Sequence, residues 1–129
     1  MNKVRRVVLV GHCGADQFML SRAVRRAVGD EVLIESVNDS DELTACASPD
    51  ALLLVNRTLD GRFGVDDGVQ LIIQLSSQRD PPAAILVSNY AGAQQQAVAA
   101  GAQRGFGKSQ LGDPATVELI RQAVQGSSP

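Results

Sequence analysis

Ala83-Ala84-Ile85-Leu86-Val87 is an unbroken apolar run that follows the rigid breaker Arg79-Asp80-Pro81-Pro82. Residues 51–55 form a second solid apolar run, and residues 4–10 form a β-branched run that is bounded by Gly11. Solid apolar runs are typical of parallel strands covered by helices on both faces, because both sets of alternating side chains are then buried. The three runs therefore predict buried strands at the centre of a parallel sheet.

Helical segments separate these strands. Apolar residues recur at helical spacing over 16–28, with Asp16 predicted as the N-cap and Gly29 as the stop. Further helices are predicted at 39–47, 67–77, 91–100 and 114 to about 125, and further strands at 31–37 and 105–108. The strand–helix order repeats five times. It predicts an α/β fold in a single three-layer domain, with a doubly wound, flavodoxin-like sheet of five parallel strands in the order 2-1-3-4-5.

The length and composition are those of one globular domain. We expect residues 1–129 to form a single domain, with the core at about 4–125 and a polar tail at 126–129. Met1 and the polar tail favour a complete protein or a full domain. The content of 44% hydrophobic and 20% charged residues excludes a disordered chain.

The same numbers narrow the class of partner. A net charge of −2 and an aromatic content of 3% argue against nucleic-acid binding. The N-terminal apolar run 7–10 is too short for a signal peptide or a membrane span. Cys13 and Cys46 lack the spacing of a disulfide framework or a metal site, and His12 is the one histidine. We therefore expect a cytoplasmic protein with reduced thiols, no metal and no cofactor.

In doubly wound sheets the functional site lies at the carboxyl ends of the strands, near the point where the strand order reverses. This rule selects the residues that directly follow strands 1, 3, 4 and 5. They are His12 and Cys13, Asn56 and Arg57, Ser88 and Asn89, and Lys108.

These positions resemble those of the response-regulator receiver (CheY-like) family of two-component signalling, and the resemblance covers about residues 4–125. Residues 83–89 resemble the family's strand 4, which ends in a conserved Thr or Ser, here Ser88. Ala100-Gly101-Ala102 and the following Gly105-Phe106-Gly107-Lys108 resemble the turn that leads to the family's conserved Lys. Leu53-Leu54-Val55-Asn56 resembles the segment that ends in the phosphoacceptor Asp.

The departures from the family pattern fall on its chemistry. The acidic pair that holds Mg²⁺ corresponds to Gly11 and His12, and the phosphoacceptor Asp corresponds to Asn56. The loop that follows Asn56 is several residues longer than usual, and it has Asp60 in place of a Pro. Ser109 replaces the Pro that normally follows the Lys.

The substitutions remove the nucleophile and the metal ligands together. Aspartyl-phosphate formation needs a carboxylate, and Mg²⁺ prefers carboxylate oxygens. The resemblance thus implies a stand-alone receiver-like module that is not an enzyme and has lost phosphotransfer, a pseudo-receiver. Ser88 and Lys108 remain as candidates for a switch or an anion site, and we expect Lys108 to face Asn56 without a counter-charge. Plainer interpretations are a solvated Lys108, a Ser88 that caps the next helix and an Asn56 that favours the turn.

Two other functions stay open. His12 next to Cys13, before a helix N-terminus, is compatible with a small enzyme or redox sensor with a reactive Cys13 thiol. A phosphatase loop would need Arg six residues after Cys13, where Met19 stands. Gly11 and Gly14 resemble part of a dinucleotide fingerprint, which leaves a nucleotide- or flavin-binding protein as a further alternative.

The partner surface is inferred from the resemblance alone. In receivers, the face made by helix 4, strand 5 and helix 5 often binds another protein. We therefore expect this chain to bind another signalling protein, or a second copy of itself, through that face, and to bind neither nucleic acid nor membrane.

Overall fold

The computed structural model describes residues 3–125, so the predicted tail at 126–129 lies outside the described residues. Five strands alternate with five α-helices, and a short 3₁₀ turn precedes the last helix. The elements are β1 (Arg6–Val10), α1 (Gly14–Val28), β2 (Leu33–Val37), α2 (Ser40–Cys46), β3 (Ala51–Asn56), α3 (Gly68–Ser76), β4 (Ala83–Val87), α4 (Ala91–Ala99), β5 (Gln103–Phe106), the 3₁₀ turn Lys108–Gln110 and α5 (Pro114–Gln125).

The five strands form one parallel sheet in the order β2-β1-β3-β4-β5, which confirms the predicted topology. β1 and β3 pair in the middle, with Val8 opposite Leu53. The order reverses between β1 and β3, so the ends of these two strands lie side by side at the carboxyl edge of the sheet. Within residues 3–125, no helix is long and apolar enough to cross a membrane.

The core has two layers, one on each face of the sheet. Leu52 and Leu54 of β3 pack with α1 and α5, whereas Leu53 and Val55 pack with α2, α3 and α4. Residues 51–55 are fully buried, because helices cover both faces of this strand. The solid apolar runs therefore do correspond to the central strands, as predicted.

The start of the first helix differs from the prediction. Asp16 was expected as the N-cap, but α1 begins at Gly14 and its N-cap is Cys13. Asp16 lies in the first turn, where its carboxylate binds Lys108. A carboxylate near a helix N-terminus is favoured in either position, so the sequence pattern alone does not separate them.

The fifth strand was predicted two residues too late, at 105–108. β5 ends at Phe106, and Lys108 begins the 3₁₀ turn that follows. β5 lies at the edge of the sheet, with Gln103 and Arg104 exposed, so it lacks the apolar signal of a central strand. Its pairing with β4 also shifts register between Ile85 and Val87.

Candidate functional site

The ends of β1, β3 and β4 and the turn after β5 place the selected residues at the carboxyl edge of the sheet. Gly11, His12 and Cys13 follow β1, Asn56 ends β3, and Ser88 follows β4.

Gly11 is covered by the long loop that follows β3. Its φ is +74°, and a Cβ atom added there would lie 2.7 Å from Leu59 Cδ2 and 3.2 Å from Leu59 Cα. The amide of Asp60 donates a hydrogen bond of 2.9 Å to the Gly11 carbonyl. Leu59 thus fills the space that a side chain on Gly11 would need, and an acidic residue at position 11 requires the Leu59 side chain to turn away from Gly11.

Asn56 supports this arrangement as a hydrogen-bond donor. Its Nδ2 donates to the Gly11 carbonyl at 3.0 Å, the same oxygen that accepts from the Asp60 amide. The amide group of Asn56 therefore ties the end of β3 to the end of β1. A carboxylate in its place would accept but not donate, so the choice of Asn at this position has a structural reason.

His12 is buried and electrically neutral. Its side chain is 1% exposed, and Nε2 donates to the Leu54 carbonyl at 2.8 Å, which fixes the tautomer because a carbonyl oxygen only accepts. Nδ1 has no hydrogen-bond partner among the described residues. Burial lowers the pKa of His12 to about 4, and the charge of Lys108 also lowers it. His12 is therefore not an ionised residue at neutral pH.

Cys13 is exposed at the N-cap of α1, whereas Cys46 is buried at the end of α2. Burial raises the pKa of the Cys46 thiol, and so does the hydrogen bond that it donates to Glu35 Oε2 at 3.0 Å. Cys46 is thus a weakly acidic, structural thiol. Cys13 stays the candidate for a reactive thiol.

Lys108 has a counter-charge, contrary to the expectation that it faces Asn56 alone. Its Nζ lies 2.5 Å from Asp16 Oδ2, and the two side chains are about one-third exposed. The hydrogen bond from Lys108 holds the pKa of the Asp16 carboxyl below its usual range. The pair joins the turn after β5 to the first turn of α1, because both elements lie on the same face of the sheet.

We expect Asp16→Asn to lower the free energy of unfolding by no more than about 1 kcal/mol, because solvent screens a partly exposed ion pair. The measurement is urea unfolding at neutral pH. Glu118→Gln, which removes the exposed Glu118–Arg121 pair of α5, is the control and should cost less. A loss above ~2 kcal/mol at Asp16 would mean that the Lys108 pair is a main support of the fold.

Ser88 and Asn89 follow β4 and make local contacts. The Ser88 hydroxyl accepts from the Tyr90 amide at 3.1 Å, as in a serine turn. Asn89 Oδ1 accepts from Ser109 Oγ at 2.9 Å and from the Ser109 amide at 3.3 Å. These bonds join the β4–α4 loop to the turn that carries Lys108.

Asn38 directly follows β2 and contacts the residues of this edge, although the sequence analysis did not select it. Its Nδ2 donates to the carbonyls of His12 at 3.2 Å and Asp60 at 2.7 Å. The backbone carbonyl of Asn38 accepts a hydrogen bond from the Arg62 amide at 2.8 Å. An Asn after a strand is a weak signal, but its position at the carboxyl edge next to β1 could have marked it.

The site offers little to a metal ion. Within the described part of the chain, no group of three or more His, Cys, Asp or Glu side chains is arranged to hold one. Asp16, the nearest carboxylate to the Lys108 amine, is already paired.

A groove of about 800 Å³ lies between α4 and β5. It passes over Gly105, where an added Cβ would lie 2.3 Å from the Leu86 carbonyl oxygen. Gln94 lines the groove and donates to the carbonyls of Leu86, Ser88 and Phe106 at 2.8, 3.1 and 3.3 Å. Val98 is 49% exposed on the α4 side.

Solved structures with the same fold include several receiver domains. One is the signal receiver domain of a DNA-binding response regulator (merR) from Colwellia psychrerythraea 34H, with a TM-score of 0.71, 16% identity and coverage of 93% of this chain and 98% of that one. The chain has a CheY-like receiver fold.

Two further matches support that assignment. The phosphorylated cyanobacterial phytochrome response regulator RcpA has a TM-score of 0.66, 17% identity and coverage of 98% and 97%. The receiver domain of NtrX from Brucella abortus has a TM-score of 0.61, 18% identity and coverage of 95% and 99%. No family model and no curated protein matches the sequence. The likeness thus concerns the receiver fold.

Proposed function

We propose that this chain is a receiver-like module of two-component signalling that works without aspartyl phosphorylation and acts through protein–protein contacts. The observation that carries the proposal is the packing of Leu59 on Gly11, where a side chain would need the space that Leu59 fills. A cytoplasmic location belongs to the same proposal.

Three features of the site support the loss of phosphotransfer. Asn56 has no carboxylate to attack a phosphoryl donor, and its amide is used to bind the Gly11 carbonyl. Gly11 and His12 supply no carboxylate for Mg²⁺, and His12 is turned toward Leu54. Lys108, the residue left to bind an anion, is paired with Asp16.

The proposed contact surface is the face of α4, β5 and α5. The groove over Gly105 supports it, together with the exposed Val98 and the uncharged surface of α4. Arg104 is the one charged residue among those that line the groove. The partner in this proposal is another signalling protein or a second copy of the chain.

The test is the intact mass of the purified protein after incubation with acetyl phosphate and Mg²⁺, with and without a thiol-blocking reagent. We expect no phosphoryl adduct. A stable adduct that survives thiol blocking would contradict the proposal. An adduct that is lost on blocking would assign the chemistry to Cys13, which is exposed, and would replace the proposal by the enzyme alternative.

A further inference from the structure

Residues 57–67, between β3 and α3, form a segment that we call the cover loop. Two backbone hydrogen bonds bring the ends of this segment together. The Leu59 amide donates to the Asp66 backbone carbonyl at 2.9 Å, and the Gly68 amide donates to the Arg57 backbone carbonyl at 2.7 Å. Two of its side chains, Leu59 and Phe63, are 9% and 5% exposed and belong to the core. The cover loop is therefore a packed part of the domain and not a solvated connection.

The cover loop binds two other loops at the carboxyl edge. The Asp60 amide donates to Gly11 of the β1–α1 loop at 2.9 Å. The Arg62 amide donates to the Asn38 backbone carbonyl at 2.8 Å, and the Arg62 backbone carbonyl accepts from the Ser40 amide at 2.9 Å. These bonds join the ends of β1 and β2 to the same segment.

Gly61 is the position where this contact is closest. Its φ is +124°, and an added Cβ would lie 1.9 Å from the Asn38 carbonyl oxygen. Backbone on both sides leaves no flexible side chain that could yield, so no other residue fits without separating the cover loop from Asn38. Gly64, in the same loop, has a φ of +80°, but no described atom lies within 4 Å of its added Cβ.

We propose that the cover loop is an internal occupant of the strand-end site. It fills the space over Gly11 with Leu59 and holds the β1–α1 and β2–α2 loops in one conformation. Release of the cover loop, rather than phosphorylation, is then the conformational change open to this site. The inference rests on the proposed function in that the site takes no phosphoryl group.

The test is amide hydrogen exchange, measured by NMR on the full chain, at Ser40, Asp60 and Arg62. In the natural sequence we expect these amides to exchange about 100-fold or more slowly than unbonded loop amides, because release of the loop must precede exchange. Gly61→Ala should speed all three by about tenfold or more, relative to the core amide of Leu54. Gly64→Ala is the matched control, because it carries the strain of a positive φ without a contact at Asn38, and it should speed the three amides less than Gly61→Ala does.

Equal acceleration in the two glycine variants, or unprotected amides in the natural sequence, would show that the cover loop does not hold the neighbouring loops. Either result would overturn the proposal. If Gly61→Ala does not fold, Leu59→Ala decides, since it shortens only the side chain that lies on Gly11. Selective acceleration at Asp60 then supports the proposal, and unchanged exchange overturns it. A phosphoryl adduct on a protein whose three amides are protected would refute the proposed function. It would leave intact the inference that the cover loop holds the neighbouring loops.

Discussion

The free energy of unfolding is expected to fall by about 3 kcal/mol as the pH is lowered from 7 to 4, because of His12 alone. The folded chain holds the pKa of His12 at about 4, against an ordinary value of 6.5. Between these two values the unfolded chain binds a proton that the folded chain does not, so acid favours unfolding. The contribution is complete above pH 6.5 and is lost as the pH falls toward 4; one pKa unit corresponds to about 1.4 kcal/mol.

The cause of this expected loss is burial without a second hydrogen-bond partner. Nε2 is satisfied by Leu54, but a proton on Nδ1 would be buried with no described acceptor and with the Lys108 charge nearby. Urea unfolding across this pH range measures the effect. His12→Gln keeps a donor for the Leu54 carbonyl and has no group that titrates in this pH range. The free energy of unfolding of this variant should therefore fall by about 3 kcal/mol less between pH 7 and 4. Parallel profiles for the two proteins would show that His12 is not held neutral by the fold.

Asn56→Asp is expected to destabilise the protein by about 1–3 kcal/mol and to leave it unable to accept a phosphoryl group. The variant replaces the Nδ2 donor by a second acceptor that faces the Gly11 carbonyl at 3.0 Å, so a part-buried hydrogen bond becomes a repulsion. The metal ligands would still be missing at Gly11 and His12. The measurements are urea unfolding and intact mass after treatment with acetyl phosphate and Mg²⁺.

Asn89→Asp is the matched control for this variant. Within residues 3–125, the Asn89 side chain hydrogen-bonds through Oδ1 alone, as an acceptor from Ser109, and an aspartate keeps that oxygen. We expect the stability of Asn89→Asp to stay within about 0.5 kcal/mol of the natural protein. Efficient phosphorylation of Asn56→Asp would refute the account of the lost metal site, and equal costs for the two variants would refute the donor role of Asn56.

The fold could be predicted because its strongest signals come from burial. Residues 51–55 and 83–87 are apolar on both faces because helices cover both faces of the sheet, and that condition holds only for central strands. β5 was misplaced because an edge strand with Gln103 and Arg104 exposed carries no such signal. The start of α1 was misplaced because Asp16 favours a helix N-terminus whether it caps the helix or lies in its first turn.

The strand-end positions could be predicted, but their contacts could not. The topology rule places His12, Asn56 and Ser88 at one edge from strand order alone, and the family resemblance adds Gly11. The partners that decide their roles come from distant segments: Leu59 reaches Gly11, and Asp16 reaches Lys108 across 92 positions of the chain. Pattern and spacing report local structure, so such long-range pairs leave no signal in a single sequence.

The most direct measurement is the ¹H–¹⁵N spectrum of the protein before and after addition of Mg²⁺ with beryllofluoride, a phosphoryl analogue. A receiver site that takes a phosphoryl group shifts the amides at its strand ends when the analogue binds. Because Asn56 offers no carboxylate to bind the analogue and Lys108 is paired with Asp16, we expect the amides of Asn56, Ser88 and Lys108 to stay unchanged. Saturable shifts at these three amides would contradict the account, since they would show that the site binds the phosphoryl analogue.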